Sequence, residues 1–286
     1  MTSANLASPE LTLIAARGLS LAVWEWPGEG RTLLFAHATS FHARCWDQVI
    51  REFPGRRCLA IDARGHGRSS KPGPPYHWAA FGLDLAEVAG RLAVEGAIGI
   101  GHSLGGHTVT AVARLRPATF SALLLVDPTI REPELYGQAP LDVSFVRKRR
   151  ARWKSPDEMF ERYRRQMPFE RWKPEVLRDY CHYGLLPQGA GFVLACPPDG
   201  EASVYECSKE PEANLHAEIP SVTIPVTVMR AGYSGERQFS TSPTDPKLAS
   251  RFPRGRDVLL PEYSHLIPME APHLVAEEIR RLLAAV

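Results

Sequence analysis

"IGIGHSLGGHT", Ile98 to Thr108, decides how the chain is read. A run of small apolar residues breaks at Gly101-His102-Ser103-Leu104-Gly105 and then resumes with helix-compatible residues, "LGGHTVTAVARLR", ended by Pro117. This is a buried strand, a glycine-rich turn and a helix. Two readings are open at this point. The serine can merely cap the helix, or the turn can exist to hold Ser103 where it attacks a substrate. The five residues fit G-x-S-x-G between a strand and a helix, the context in which that motif presents a nucleophile. Gly101 and Gly105 would let strand and helix approach, and the helix N-terminus would aim backbone N–H groups at developing negative charge. The N–H of Leu104 would be one such donor.

The same alternation extends outward on both sides. "LSLAVWEW", "TLLFAHA", "RCLAID" and "ALLLVD" read as strands, with a helix expected near "ARCWDQVIREF". "WAAFGLDLAEVAGRLAV" is amphipathic, with Phe81, Leu85, Val88 and Leu92 at helical spacing. Apolar strands separated by helices imply a mostly parallel sheet covered on both faces. The pattern lapses between about Pro128 and His216, a block rich in Arg, Pro and aromatics, then returns at "PVTVMRAG", "DVLLP" and a final helix "APHLVAEEIRRLLAAV". The chain is therefore divided into a core, 1–127 and 217–286, and a helical insertion, 128–216, that follows the sixth strand and lies over the sheet. Within the insertion "SPDEMFERYRRQM" is a predicted helix capped by Ser155, with Phe160, Tyr163 and Met167 on one face.

Bulk properties narrow the function classes. The 286 residues are 44% hydrophobic and 23% charged, an ordinary globular composition. A net charge of +2 gives no global drive toward nucleic acid or membrane. No apolar run approaches the ~20 residues of a membrane span. "MTSANLASPE" has neither a basic n-region nor an apolar h-region, so a secretory signal is not expected. The five cysteines (Cys45, Cys58, Cys181, Cys196, Cys207) are odd in number and form no C-x-x-C pair, which disfavours zinc and a disulfide framework and suits a reduced, cytoplasmic protein. Oligomeric state stays open, a homodimer included.

"FAHATSF" (35–41) at the end of an early strand, "IDARGHGRSS" as a strand running into a tight loop, "GHSLGG", and the late "YSHLIPMEAP" occur in one order along the chain. Together they resemble the α/β-hydrolase superfamily over nearly the whole length, and in particular its cap-bearing serine hydrolases of the esterase, lactonase and lipase-like branch. The resemblance implies the α/β-hydrolase fold, with Ser103 as nucleophile and His265, between the last strand and last helix, as general base. It implies an oxyanion hole from the N–H groups of Thr39 and Leu104. The family's His-Gly is here His37-Ala38, which implies a different path for that loop. The family's acid often follows the strand "VTVMRAG" in a Gly-x-x-Asp pattern, but the sequence reads Gly232-Tyr233-Ser234-Gly235. Asp127, at the end of "LLLVDP", is the preferred acid; Glu236 is the alternative, and Asp245 a further carboxylate.

With these roles the chemistry is acyl transfer to water on a small-molecule ester or lactone, needing no metal, nucleotide or redox cofactor. "GHSLGG" lacks the Gly-Lys-Ser/Thr ending of a phosphate loop. A serine nucleophile argues against the carboxylate-dependent dehalogenases and epoxide hydrolases of the superfamily. It leaves carboxylesterase, lactonase, thioesterase, C–C bond hydrolase and acyltransferase, besides a non-catalytic ligand receptor of the same fold. His102, His37 and His66 are expected to pack or order loops, and Asp62 and Arg64 to tie down the "DARGHG" loop. "RKRRARWK" (147–154) is expected to be a solvated helix face rather than a nucleic-acid site, with one open option: an arginine that meets an anionic substrate. Trp153, Phe160, Tyr163, Phe169 and Trp172 are expected to form the core of the insertion, a few of them lining a pocket.

Overall fold

The structure, a computed structural model, describes residues 8–232 and 241–286. Eight strands form one sheet: β1 (Glu10–Ala16), β2 (Leu19–Trp26), β3 (Glu29–Ala36), β4 (Arg56–Ile61), β5 (Ala97–His102), β6 (Phe120–Val126), β10 (Val226–Ala231) and β11 (Gly255–Leu260). Their spatial order is β1-β2-β4-β3-β5-β6-β10-β11. Only β2 runs against its neighbours; every pairing from β4 to β11 is parallel. All six residues of β5 are buried, as a central parallel strand covered on both faces requires.

The two faces are covered by different parts of the chain. The helices Trp78–Arg91 and Leu104–Leu115 pack Leu85, Val88, Val109 and Val112 on one side. The C-terminal helix Pro272–Ala285 packs Val275, Ile279 and Leu282 on the other, beside Trp46 and Ile50. The helix expected near residues 43–53 is only two short turns, Ala43–Trp46 and Asp47–Ile50. β1 has no counterpart among the strands the pattern predicts. It is an edge strand whose Leu11 and Leu13 alternate with Glu10 and Thr12 but face solvent.

Residues 128–216, expected to be a helical insertion with weak strand signals, are more mixed than that. They hold the helices Pro156–Tyr163, Pro174–Tyr183 and Pro198–Glu206, but also a three-stranded antiparallel sheet of β7 (Arg152–Trp153), β9 (Gly191–Leu194) and β8 (Leu185–Gln188). Strands of two to four residues, one containing Pro187, are too short for a period-2 pattern to show. Ser155 does cap its helix, accepting a hydrogen bond from the Glu158 N–H at 3.1 Å. The helix stops at Tyr163, so Met167 lies beyond its expected face. The segment has a core of its own, with Trp153, Met159, Phe160 and Leu177, which continues into Phe41 and Leu266 of the remainder. Ile130 and Leu215, near its two ends, already pack against the sheet.

Candidate active site

The turn after β5 is built by close backbone approach. A Cβ on Gly101 would lie 2.3 Å from the Gly105 carbonyl oxygen, and one on Gly105 would lie 2.0 Å from that of Ala36. Only glycine fits at either position. Ser103, between them, has φ 55° and ψ −115°. This backbone conformation costs a non-glycine residue about 1–3 kcal/mol. Its N–H is held by the Val126 carbonyl at 3.1 Å, and its own carbonyl accepts from Gly106, His107 and Thr129. The strained turn is thus fixed from both the sheet and the helix.

Ser103, His265 and Asp127 come together. Ser103 Oγ is 3.0 Å from His265 Nε2, and His265 Nδ1 is 2.6 Å from Asp127 Oδ2. Asp127, with φ 42°, directly follows β6 and is fully buried. A buried carboxylate needs several donors. Besides His265 it receives the Ala231 N–H at 2.8 Å and the Ser242 hydroxyl at 2.7 Å, both on Oδ1. Glu236 lies outside the described residues. Asp245 is engaged by Arg251 at 2.7 Å instead.

The histidines and loop charges behave as expected. His102 Nε2 is 2.8 Å from the His265 carbonyl, which links the turn to the histidine loop. Burial drives its pKa well below the ordinary histidine value. The Ala63 N–H donates to His37 Nε2 at 3.0 Å and the Ser40 N–H to His66 Nε2 at 3.1 Å, so both rings act as neutral acceptors that order loops. Burial lowers their pKa values to about 4 and about 3. Asp62 accepts the Ala43 and Arg68 N–H groups, and Arg64 pairs with Asp84 at 2.6 Å.

Thr39 follows β3 in a turn closed by the Phe41 N–H on the Ala38 carbonyl at 3.1 Å, with Ser40 at φ 69°. Among the described residues, neither the Thr39 N–H nor the Leu104 N–H is used by another protein acceptor. For Leu104 this follows from its place in the first turn of a helix. One contact has no forerunner in the sequence pattern. Thr129 Oγ1 is 3.0 Å from Ser103 Oγ. Ser242 is equally silent in the sequence, because a serine in a polar loop carries no signal of what it touches.

Two chambers meet at this point. The larger, about 610 Å³, is walled by Phe41, Tyr163, Phe169, Trp172 and Tyr180. The smaller, about 430 Å³, is walled by Trp78, Thr129, Arg131, Leu141 and Val143. Thr39, Ser103, Phe145, Tyr205 and His265 border both. Both volumes are in the range of small-molecule sites. The 147–154 run departs from a uniformly solvated face. Arg147 pairs with Asp199 and Glu206, and Arg150 with Glu158, at the surface. Arg149 turns into the large chamber, bonded to Glu201 at 2.7 Å and to the Tyr180 hydroxyl. Burial opposes its charge, but Glu201 and Tyr180 prevail and raise its pKa. All five cysteines are free and buried.

A family model described as "Alpha/beta hydrolase family" matches residues 33–278, the span that carries the sheet, the turn and the histidine loop. The chain belongs to the alpha/beta hydrolase family. Among curated relatives, a non-heme chloroperoxidase of Streptomyces lividans is 34% identical over 119 residues, 40% of this chain and 43% of the relative. The chain thus spans less than half the length of that relative. An esterase of Mycobacterium tuberculosis is 26% identical over 96% of this chain and 89% of its own. Among solved structures, E-2-(acetamidomethylene)succinate hydrolase shares the fold with a TM-score of 0.76 at 19% identity, over 96% of this chain and 99% of its own. Among the described residues no helix is long and apolar enough to cross a membrane.

Proposed function

We propose that the protein is a serine hydrolase that cleaves a carboxylic ester or lactone of a small to medium substrate through an acyl-enzyme. The observation that carries this reading is the continuous chain of contacts from Ser103 Oγ through His265 to Asp127, at 3.0 and 2.6 Å, at the junction of two chambers. The family match and the full-length similarity to an esterase support it.

In this mechanism His265 Nε2 takes the Ser103 hydroxyl proton as Oγ bonds to the substrate carbonyl carbon. The carbonyl π electrons move to oxygen, and the N–H groups of Thr39 and Leu104 receive that oxyanion; one such donor is worth about 10²–10³ in rate. The C–O bond to the leaving group then breaks, and His265 returns its proton to the departing alkoxide. A water molecule repeats the sequence on the acyl-enzyme and regenerates Ser103. Asp127 accepts from His265 Nδ1–H, fixing the tautomer and stabilising the imidazolium. We take Asp127 rather than Glu236 as the acid, and we read 128–216 as a cap over a core of 1–127 and 217–286.

The test is hydrolysis of p-nitrophenyl esters from acetate to octanoate by wild type and Ser103→Ala. Multiple turnover lost in the variant supports the proposal, and the chain-length optimum sizes the chamber that receives the acyl group. Turnover of a thioester or of a vinylogous diketone, with every oxygen ester inert, would move the assignment to a thioesterase or a C–C hydrolase.

A further inference from the structure

Among the described residues, three arginines line the two chambers, and they are not alike. Arg149 has Glu201 at 2.7 Å and Arg171 has Glu270 at 3.0 Å. Arg131, in the smaller chamber, has no carboxylate and no hydrogen-bond partner for its guanidinium among the described residues, and its Nε is fully buried. Its backbone, by contrast, is pinned on both sides. The Arg131 N–H donates to the Tyr136 hydroxyl at 3.1 Å, and the Arg131 carbonyl lies 2.7 Å from His216 Nε2. The side chain is thus aimed by its surroundings yet unsatisfied by them. Burial lowers its pKa from the ordinary arginine value, with Tyr136 opposing only in part. Among the described residues, the one carboxylate on the wall of this chamber is Asp142, which is exposed and accepts from the Ser144 N–H. A half-buried cation without a counter-ion is a cost to the fold, and a fixed guanidinium is matched in shape to a carboxylate.

We infer that the smaller chamber binds the anionic end of the substrate, a carboxylate received by Arg131, while the larger chamber takes an apolar arm across the scissile bond. The inference deepens the proposed ester hydrolysis and rests on it for the position of that bond. The larger chamber is suited to the apolar arm because its arginines are already neutralised by Glu201 and Glu270 and its walls are aromatic. Both chambers are bordered by Ser103 and His265, which places the two arms of one ligand on either side of the reacting carbonyl.

The test uses binding, so that it does not depend on turnover. Ser103→Ala is titrated by calorimetry with phenyl butyrate and with two anionic counterparts: monophenyl succinate, charged on the acyl side, and 4-carboxyphenyl butyrate, charged on the leaving group. One anionic ester is expected to bind at least about tenfold tighter than phenyl butyrate. Which one it is tells whether the small chamber receives acyl or alcohol. Adding Arg131→Gln should weaken that ester by about 10²-fold, the usual scale for truncating a buried charge pair, and Arg131→Lys should retain part of the preference. Equal binding of all three esters, or a preference that survives Arg131→Gln, overturns the inference. A wild type inert toward every ester would overturn the proposed reaction instead, and the titration would still decide the anion site. Melting gives a second readout. A guanidinium without a partner predicts that Arg131→Gln raises Tm by about 2–4 °C; a fall would mean that Arg131 supports the fold, which contradicts the inference.

Discussion

The turn around Ser103 and the inserted segment 128–216 are held together in opposite ways. Around Ser103 the determining contacts are between backbones, within the turn and across to the neighbouring strands: Gly101 against Gly105, the Ser103 N–H on Val126, Gly105 against Ala36. In the insertion they are contacts between side chains, such as Arg149 with Glu201 and with Tyr180. The turn rests on backbone geometry that tolerates almost no substitution. The chamber walls of the insertion rest on ion pairs and aromatics that could be exchanged in sets.

The largest effect expected on the turn is kinetic. Ser103→Ala should lower kcat by about 10⁶, and His265→Ala by a similar factor, with the double variant no worse than either single one. Additive losses would show that the two residues do not act as a unit. Asp127→Asn should cost about 10⁴ in kcat, while Glu236→Gln should stay within a few-fold; the reverse pattern would transfer the acid role to Glu236. Steady-state rates on the best p-nitrophenyl ester measure both.

Stability sharpens the comparison. Gly105→Ala places a methyl 2.0 Å from the Ala36 carbonyl oxygen and should destabilise by more than about 4 kcal/mol, or prevent folding. In the insertion, Glu201→Gln leaves Arg149 buried without its counter-ion and should cost about 3–5 kcal/mol by urea denaturation. Replacing both, as Arg149→Met with Glu201→Leu, should recover most of that loss. No pairing of substitutions should rescue Gly105→Ala, because the clash is with backbone.

Acid should act mainly on the sheet-bearing part. Burial lowers the pKa of His37, His42 and His107 to about 4 and of His66 to about 3. Unfolded histidines titrate near 6.5, so between pH 6.5 and about 4 the unfolded chain binds protons that the folded chain refuses. Stability is therefore complete above pH 6.5 and is lost as the pH falls through that window, by about 1.4 kcal/mol per pH unit for each histidine. Asp179, raised to about 6 by burial, has the opposite slope over the lower part of the range and offsets one histidine of the four. Tm should be level from pH 7.5 to about 6.5 and fall from there to pH 4.5. A flat profile would mean that these rings are not held neutral.

Much of this was legible in the sequence because it is local. The alternation of strands and helices, the glycines around Ser103, the placement of His265 after the last strand and the Ser155 cap all show as short-range patterns. Asp127 needed a choice among carboxylates, since which loop approaches His265 is a matter of tertiary distance. Thr129, Ser242, Arg131 and the Arg149–Glu201–Tyr180 cluster were not legible. Their meaning comes from partners dozens of residues away, or, for Arg131, from having none among the described residues. The three short strands of the insertion escaped because brevity removes the periodic signal.

The central claim is that the acyl group is carried on Ser103. Mass spectrometry of the protein, quenched during turnover of p-nitrophenyl butyrate and mapped by peptide, tests it most directly. The account predicts one butyryl group on the peptide containing Ser103, absent in Ser103→Ala and accumulating when deacylation is slowed. Continued turnover by Ser103→Ala, with no adduct at this position in the wild type, would contradict it.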